Sequence, residues 1–228
     1  MPSSFYDAIP VVLPFVAALR PASVLDVGIG FGKYGLLFRE YLDANARPPG
    51  GAPFDPKDRQ VRIDGVEAYA PYVTELQRAI YDTIYTAEAL AVLPELDRYD
   101  LVFAADVLEH FSREGGRRFL ALGLGRARRG VLIVTPALYF DQEPAFGNAY
   151  ERHQSFWTAG DFAGYPLADV LVWRRQLVAW LPTDGERRAL PRPTVREALG
   201  LAGRGALARL VGGRRAEAFL QRLRGIRG

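Results

Sequence analysis

Apolar runs of strand length alternate with segments of helix length through the first 135 residues of this chain. Ser23–Gly28, Val61–Glu67, Thr83–Thr86, Tyr99–Ala105 and Gly130–Thr135 read as strands. Helical spacing over Lys33 to Asn45, Pro71 to Tyr81 and Ser112 to Leu124 fills gaps between them. Alternation of this kind predicts a parallel sheet covered on both faces. Two later runs, Ala168–Trp173 and Gln176–Trp180, are separated only by Arg174 and Arg175. So short a connection demands an antiparallel hairpin. The expectation is therefore an α/β fold with a mostly parallel seven-stranded sheet, helices on both faces and an antiparallel hairpin at its C-terminal edge. Ala8–Leu19 carries Pro10 and Pro14 and reads as a short, broken helix packed on the body. It is too short to span a bilayer and lacks the basic region of a signal peptide.

At 228 residues the chain has room for one large domain or a domain with an appendage. Charge suggests the second. Residues 182–228 hold eleven arginines against four acids, a net +7, and this leaves the rest at −4 within a total of +3. We expect a body over residues 1–181 and a basic helical appendage over 182–228. Its helical spacing (Leu207, Leu210, Val211; Ala216, Phe219, Leu220, Leu223) suits packing on the body or on a second subunit. Peripheral contact with an anionic membrane is the other reading. The chain has no cysteine, which excludes disulfides and thiolate metal sites and fits a reducing, cytoplasmic setting. With only His110 and His153 as imidazoles, no metal site is expected.

The first strand runs into Asp26-Val-Gly-Ile-Gly-Phe-Gly-Lys-Tyr-Gly35. Glycines there let the backbone turn sharply and approach a ligand. Gly30 to Gly35 matches the dinucleotide pattern G-x-G-x-x-G. Asp26 with Gly28, Gly30 and Gly32 matches D-x-G-x-G-x-G instead. A pyrophosphate at this turn would be repelled by Asp26, whereas a ligand bearing an ammonium and a sulfonium would be attracted. Glu67 ends the second strand, where an acid can accept from two ribose hydroxyls. Its wide separation from Gly32 is taken up by the Pro/Gly-rich stretch 46–60, read as a mobile loop. The fourth strand delivers Asp106, Glu109 and His110 to the same edge. Three acidic strand ends and no arginine cluster favour a cationic ligand.

Val24–Gly32, Glu67 and Tyr99–His110 together resemble the successive motifs of the class I S-adenosylmethionine-dependent methyltransferases. The resemblance covers about residues 20–181. It implies a Rossmann-like fold, methyl transfer and S-adenosylmethionine as cofactor. It further implies that Asp26, Gly28, Gly30 and Gly32 hold the methionine end and that Glu67 holds the ribose. Ala87 and Glu88 would lie by the adenine, although the family often has Gly-Asp there. Asp106 would line the methyl-donor side.

Residues 136–157 form a long, ring-rich loop that leaves the fifth strand at the carboxyl edge and is expected to close over the crevice. Its stretch Asn148–Thr158 resembles a segment of bacterial methyltransferases encoded among glycan and polyketide genes. That implies a small-molecule or glycan-like acceptor, methylated on oxygen. An acceptor hydroxyl needs its proton taken, and the near-neutral side chains His110 and His153 are the candidate catalytic bases. Both also have structural readings, at a helix start and in the loop. The rival functions are a nicotinamide-dependent oxidoreductase and a non-catalytic cofactor-binding module of the same fold. Nucleic acid is disfavoured as a partner by the negative body and the lack of a recognition motif.

Overall fold

The computed structural model describes residues 4–44, 55–145 and 147–193. Seven strands form one sheet: β1 (Ser23–Val27), β2 (Arg62–Glu67), β3 (Thr83–Thr86), β4 (Tyr99–Ala105), β5 (Ala127–Pro136), β6 (Asp169–Trp173) and β7 (Gln176–Pro182). Their order is β3-β2-β1-β4-β5-β7-β6. The first five strands pair in parallel. β7 runs antiparallel between β5 and β6. Strand order reverses at β1, which lies between β2 and β4. At such a reversal the loops leaving the carboxyl ends diverge and open a crevice.

Alternate residues of each strand feed two cores. On one face Val24, Ile63, Leu101, Phe103 and Leu132 pack with α1 (Ile9–Leu19), α2 (Lys33–Phe38) and Ile80 of α3 (Glu75–Ile80). On the other, Leu25, Val66, Val102 and Val131 pack with α4 (Ala89–Val92) and with Phe119 and Leu120 of α5 (Arg113–Arg126). α1 is not broken as its prolines suggest: it runs continuously through Pro14, and it buries Val11, Val12, Phe15 and Val16, as its apolar run predicts.

Local differences from expectation have local causes. α2 ends early and continues as a π-helical turn over Arg39–Ala44. There Arg39 is buried and donates to the Ile80 carbonyl, Asp43 and Asp82. Pro71 opens only a 3-10 turn, Ala70–Tyr72. The helix that follows starts at Glu75 because Thr74 and Gln77 close a capping box around it. Thr158 and Asp161 form the expected capping box, around a 3-10 turn. Trp157, expected among the rings of the loop, is only 2 % exposed and belongs to the second core. Its indole N–H donates to Ser155, and the Arg113 guanidinium lies 4.1 Å over its ring.

The described residues up to Pro191 form one compact unit. Leu190, beyond the last strand, is buried in the first core. Most of the 46–60 stretch lies outside the described residues, which resume with a 3-10 turn at Pro56–Asp58. The expected helices of the basic segment also lie outside them. No helix among the described residues is long and apolar enough to cross a membrane.

Candidate functional site

The crevice at the β1 reversal is a cavity of about 370 Å³. Asp26, Gly28, Gly30, Glu67, Ala87, Glu88, Asp106, His110 and His153 all line it. The carboxyl ends of β1, β2 and β4 bring their acids together because these strands are adjacent and parallel. Gly32 differs from its expected place and is not among the lining residues. It precedes α2 with φ +81°, and its α-carbon faces Ile80 and Gln77.

The glycine turn is held from below and from the side. Gly28 N–H and Ile29 N–H both donate to the Val66 carbonyl, at 2.8 and 3.2 Å. Gly28 has φ +75°, and a side chain there would collide with Val107. The Glu67 carboxylate accepts from Gly30 N–H (3.0 Å) and Tyr69 N–H (2.9 Å). Gln77 donates to the Gly30 carbonyl at 2.7 Å. The turn is therefore preorganised by β2 and α3.

The acids are poorly solvated. Burial raises the Asp26 carboxyl to about 7, the nearby Glu67 charge adds to this, and the Tyr81 hydroxyl opposes it. Tyr81 O–H donates to Asp26 at 2.6 Å. Burial also raises Glu67, against its backbone hydrogen bonds. Asp106 sits at φ +53°, a left-handed conformation that Asp tolerates better than most residues. Its carboxyl is lifted by burial to about 6 and accepts from Phe5 N–H (3.0 Å) and from Gln176 (3.1 Å).

Several lining groups carried no signal in the sequence. Lys33 is a cation that acts on both Asp26 and Asp106. Burial lowers its pKa while Asp106 and Asp26 raise it. Its ammonium donates to the Ser4 carbonyl, so the N-terminal segment is tied across the rim. Tyr34 lines the cavity with a buried hydroxyl that has no hydrogen-bond partner among the described residues. Glu151 is buried and accepts from Tyr72 O–H (3.2 Å) and Asn148 (3.3 Å). No periodicity marks these groups, because they come from segments joined only by the fold.

The 136–157 loop does reach the cavity, through Pro136, Phe140, Gln142, Asn148 and Tyr150 among others. Tyr150 O–H donates to Glu88 at 2.8 Å, bridging the loop to the rim after β3. Ala137 N–H donates to the Arg175 carbonyl, so the loop leaves β5 tied to the β6–β7 hairpin.

With that geometry in view, the comparison with solved structures is direct. The N-terminal domain of EvdMO1 with SAH bound superposes with a TM-score of 0.52 at 16 % identity, covering 78 % of this chain and 82 % of that one. A SAM-dependent methyltransferase from Archaeoglobus fulgidus gives 0.51 at 12 %, covering 75 % and 89 %. The same EvdMO1 domain with SAH and D-fucose gives 0.50 at 19 %, covering 79 % and 84 %. The fold is that of the class I methyltransferases. The hairpin β6–β7 beside β5 completes that architecture on the class I pattern of five parallel strands. No protein-family model and no curated protein matches the chain.

Proposed function

We propose that this class I fold transfers a methyl group from S-adenosylmethionine to an oxygen of a small-molecule or glycan-like acceptor. The observation that carries the reading is the set of carboxylates around one cavity, Asp26 and Glu67 buried and Asp106 partly buried, with the Lys33 charge acting on Asp26 and Asp106. Acids buried with so little compensation suit a ligand that brings positive charge. The cavity volume falls within the range of about 300–1,000 Å³ usual for small-molecule sites. A nicotinamide coenzyme fits less well, since its pyrophosphate would meet Asp26 at the glycine turn.

The cofactor supplies a methyl group on a sulfonium, and its departure leaves the electron pair on a neutral thioether. Asp26 would hold the ammonium, with the Gly28–Gly30 backbone beside it. Glu67 would accept from the ribose hydroxyls. Ala87 and Glu88 would flank the adenine. Asp106 would border the reacting centre. In-line positioning lowers such a barrier by up to roughly 7–11 kcal/mol, so no covalent nucleophile is needed. The acceptor's proton leaves on the side lined by His110 and His153. A sugar-like acceptor gains support from the N-terminal domain of EvdMO1, which shares this fold and whose structure was determined in the presence of SAH and D-fucose.

Calorimetric titration with S-adenosylhomocysteine tests the reading. Wild type should bind and Glu67→Ala should lose about 10- to 100-fold, the worth of one or two charge-assisted hydrogen bonds. NADH should not bind. Binding of NADH in place of S-adenosylhomocysteine would replace this function with the oxidoreductase.

A further inference from the structure

His110 and His153 lie on different segments, yet their rings meet edge to face with centroids 5.0 Å apart. The backbone arranges the meeting. Gln154 N–H and Ser155 N–H both donate to the Glu109 carbonyl, at 2.8 and 3.1 Å. The turn Leu108–His110 is thereby stitched to the segment that carries His153. His153 N–H donates in turn to the Gln142 carbonyl at 2.9 Å.

Each ring spends the same nitrogen on the backbone. His110 Nδ1 meets the Arg152 carbonyl and His153 Nδ1 meets the Phe140 carbonyl, both at 3.1 Å. A carbonyl only accepts, so Nδ1 carries the proton and Nε2 keeps its lone pair. Imidazoles that bind metals are oriented in this way, by a hydrogen bond from the other ring nitrogen.

Glu109 completes the group. Its side chain is buried, and Thr135 O–H donates to it at 3.0 Å. No basic side chain pairs with it among the described residues. The nearby charges that act on it, Asp106 and Glu151, are themselves acidic. One donor atom each from Glu109, His110 and His153 lies within 4.8 Å of the other two. All three side chains line the cavity.

We propose that Glu109, His110 and His153 form a binding site for a divalent first-row transition-metal ion on the acceptor side of the cavity. Two imidazoles and one carboxylate suit Mn²⁺, Fe²⁺, Co²⁺ or Zn²⁺, and three protein ligands leave coordination positions open to a small molecule. With metal–ligand bonds of about 2.0–2.2 Å, donor atoms stand about 3–3.5 Å apart, so small side-chain rotations close the triad. The purpose of the ion rests on the methyl-transfer reading; its binding does not. An acceptor hydroxyl coordinated there ionises more readily. Its proton passes to solvent, its oxygen forms the new bond to the methyl carbon, and the broken C–S bond returns its electron pair to sulfur. On this account the two histidines act as ligands rather than as free bases.

The test uses the full chain, stripped with a chelator and titrated with Mn²⁺ by electron paramagnetic resonance and with Co²⁺ by visible absorption. One ion per chain should bind, with nitrogen ligation visible in the Co²⁺ spectrum. His110→Ala and His153→Ala should each weaken binding by at least about tenfold. Glu109→Gln should do the same, and circular dichroism checks that it folds. If it does not fold, the His110→Ala/His153→Ala double variant decides. No stoichiometric binding to wild type, or unchanged binding to the double variant, overturns the site. S-adenosylhomocysteine titration of the stripped protein is the parallel readout. A chain that binds that ligand but takes up neither Mn²⁺ nor Co²⁺ in the titrations sinks the ion alone, whereas a chain that takes up the metal but does not bind that ligand sinks the methyl-transfer reading and leaves the site.

Discussion

Tyr81 reaches across 55 residues of sequence to donate its hydroxyl to Asp26 at 2.6 Å. The carboxylate it holds stands in the cavity beside the glycine turn. Burial lifts that carboxyl to about 7, so in the folded protein it takes up its proton far above the unfolded value of about 3.9. The folded state then binds more protons than the unfolded state between about pH 4 and pH 7, and stability declines as pH rises through that window. Glu67 and Lys33 face the same carboxyl, with opposite effects. Urea midpoints measured from acid to neutral pH should fall for wild type and stay flatter for Asp26→Asn. A ligand ammonium would draw the proton off. S-adenosylhomocysteine binding near pH 7 should therefore release protons, seen as a dependence of calorimetric heat on buffer ionisation enthalpy. Identical heats in all buffers would remove Asp26 from the ammonium site.

Gly35 lies in α2 directly under the Tyr81 ring, and a β-carbon there would strike the phenol. Gly35→Ala should displace the ring, loosen the Asp26 contact and destabilise the protein by about 1–3 kcal/mol, the usual cost of overpacking. Denaturant titration reads the stability. A variant as stable as wild type, with ordinary ligand affinity, would mean that Tyr81 is not held where it appears.

The bridge from Tyr150 to Glu88 joins the 136–157 loop to the far rim of the cavity. Removing one such hydrogen bond in Tyr150→Phe should speed S-adenosylhomocysteine release about three- to tenfold. Stopped-flow displacement gives the rate. If release slows or holds constant, the loop does not latch at this point.

Trp157 fills the second core against Phe162, beside the backbone of Gly116. Trp157→Ala should cost about 3–5 kcal/mol, as large-to-small core changes do. A loss below about 1 kcal/mol in urea unfolding would show that the ring covers the surface instead.

The Tyr99–Ala105 run is legible as a strand because β4 is buried on both faces, and its bounds in the structure are the same. The helix after β2 is less so. Pro71 is a real start signal, but the Thr74–Gln77 capping box satisfies the first helical N–H groups three residues later and sets the boundary. The rings of the 136–157 loop are open in the sequence to two readings, covering the cavity or packing on the sheet, and Trp157 takes the second. Only its packing against Phe162 distinguishes them.

Local pattern placed the strands to within a few residues, and with them Asp26, Glu67 and Asp106 at carboxyl edges beside a glycine turn, although β5 (Ala127–Pro136) and β7 (Gln176–Pro182) extend beyond the runs that marked them. Strand termini follow from burial and turn chemistry, which neighbouring residues carry. The tertiary structure alone decided strand order, and through it which groups meet: Tyr81 with Asp26, Lys33 with the N-terminal segment, His110 with His153. Those pairings depend on contacts between segments distant in sequence. Such contacts obey no period along the chain, because the energy that selects them is shared across the whole packed core.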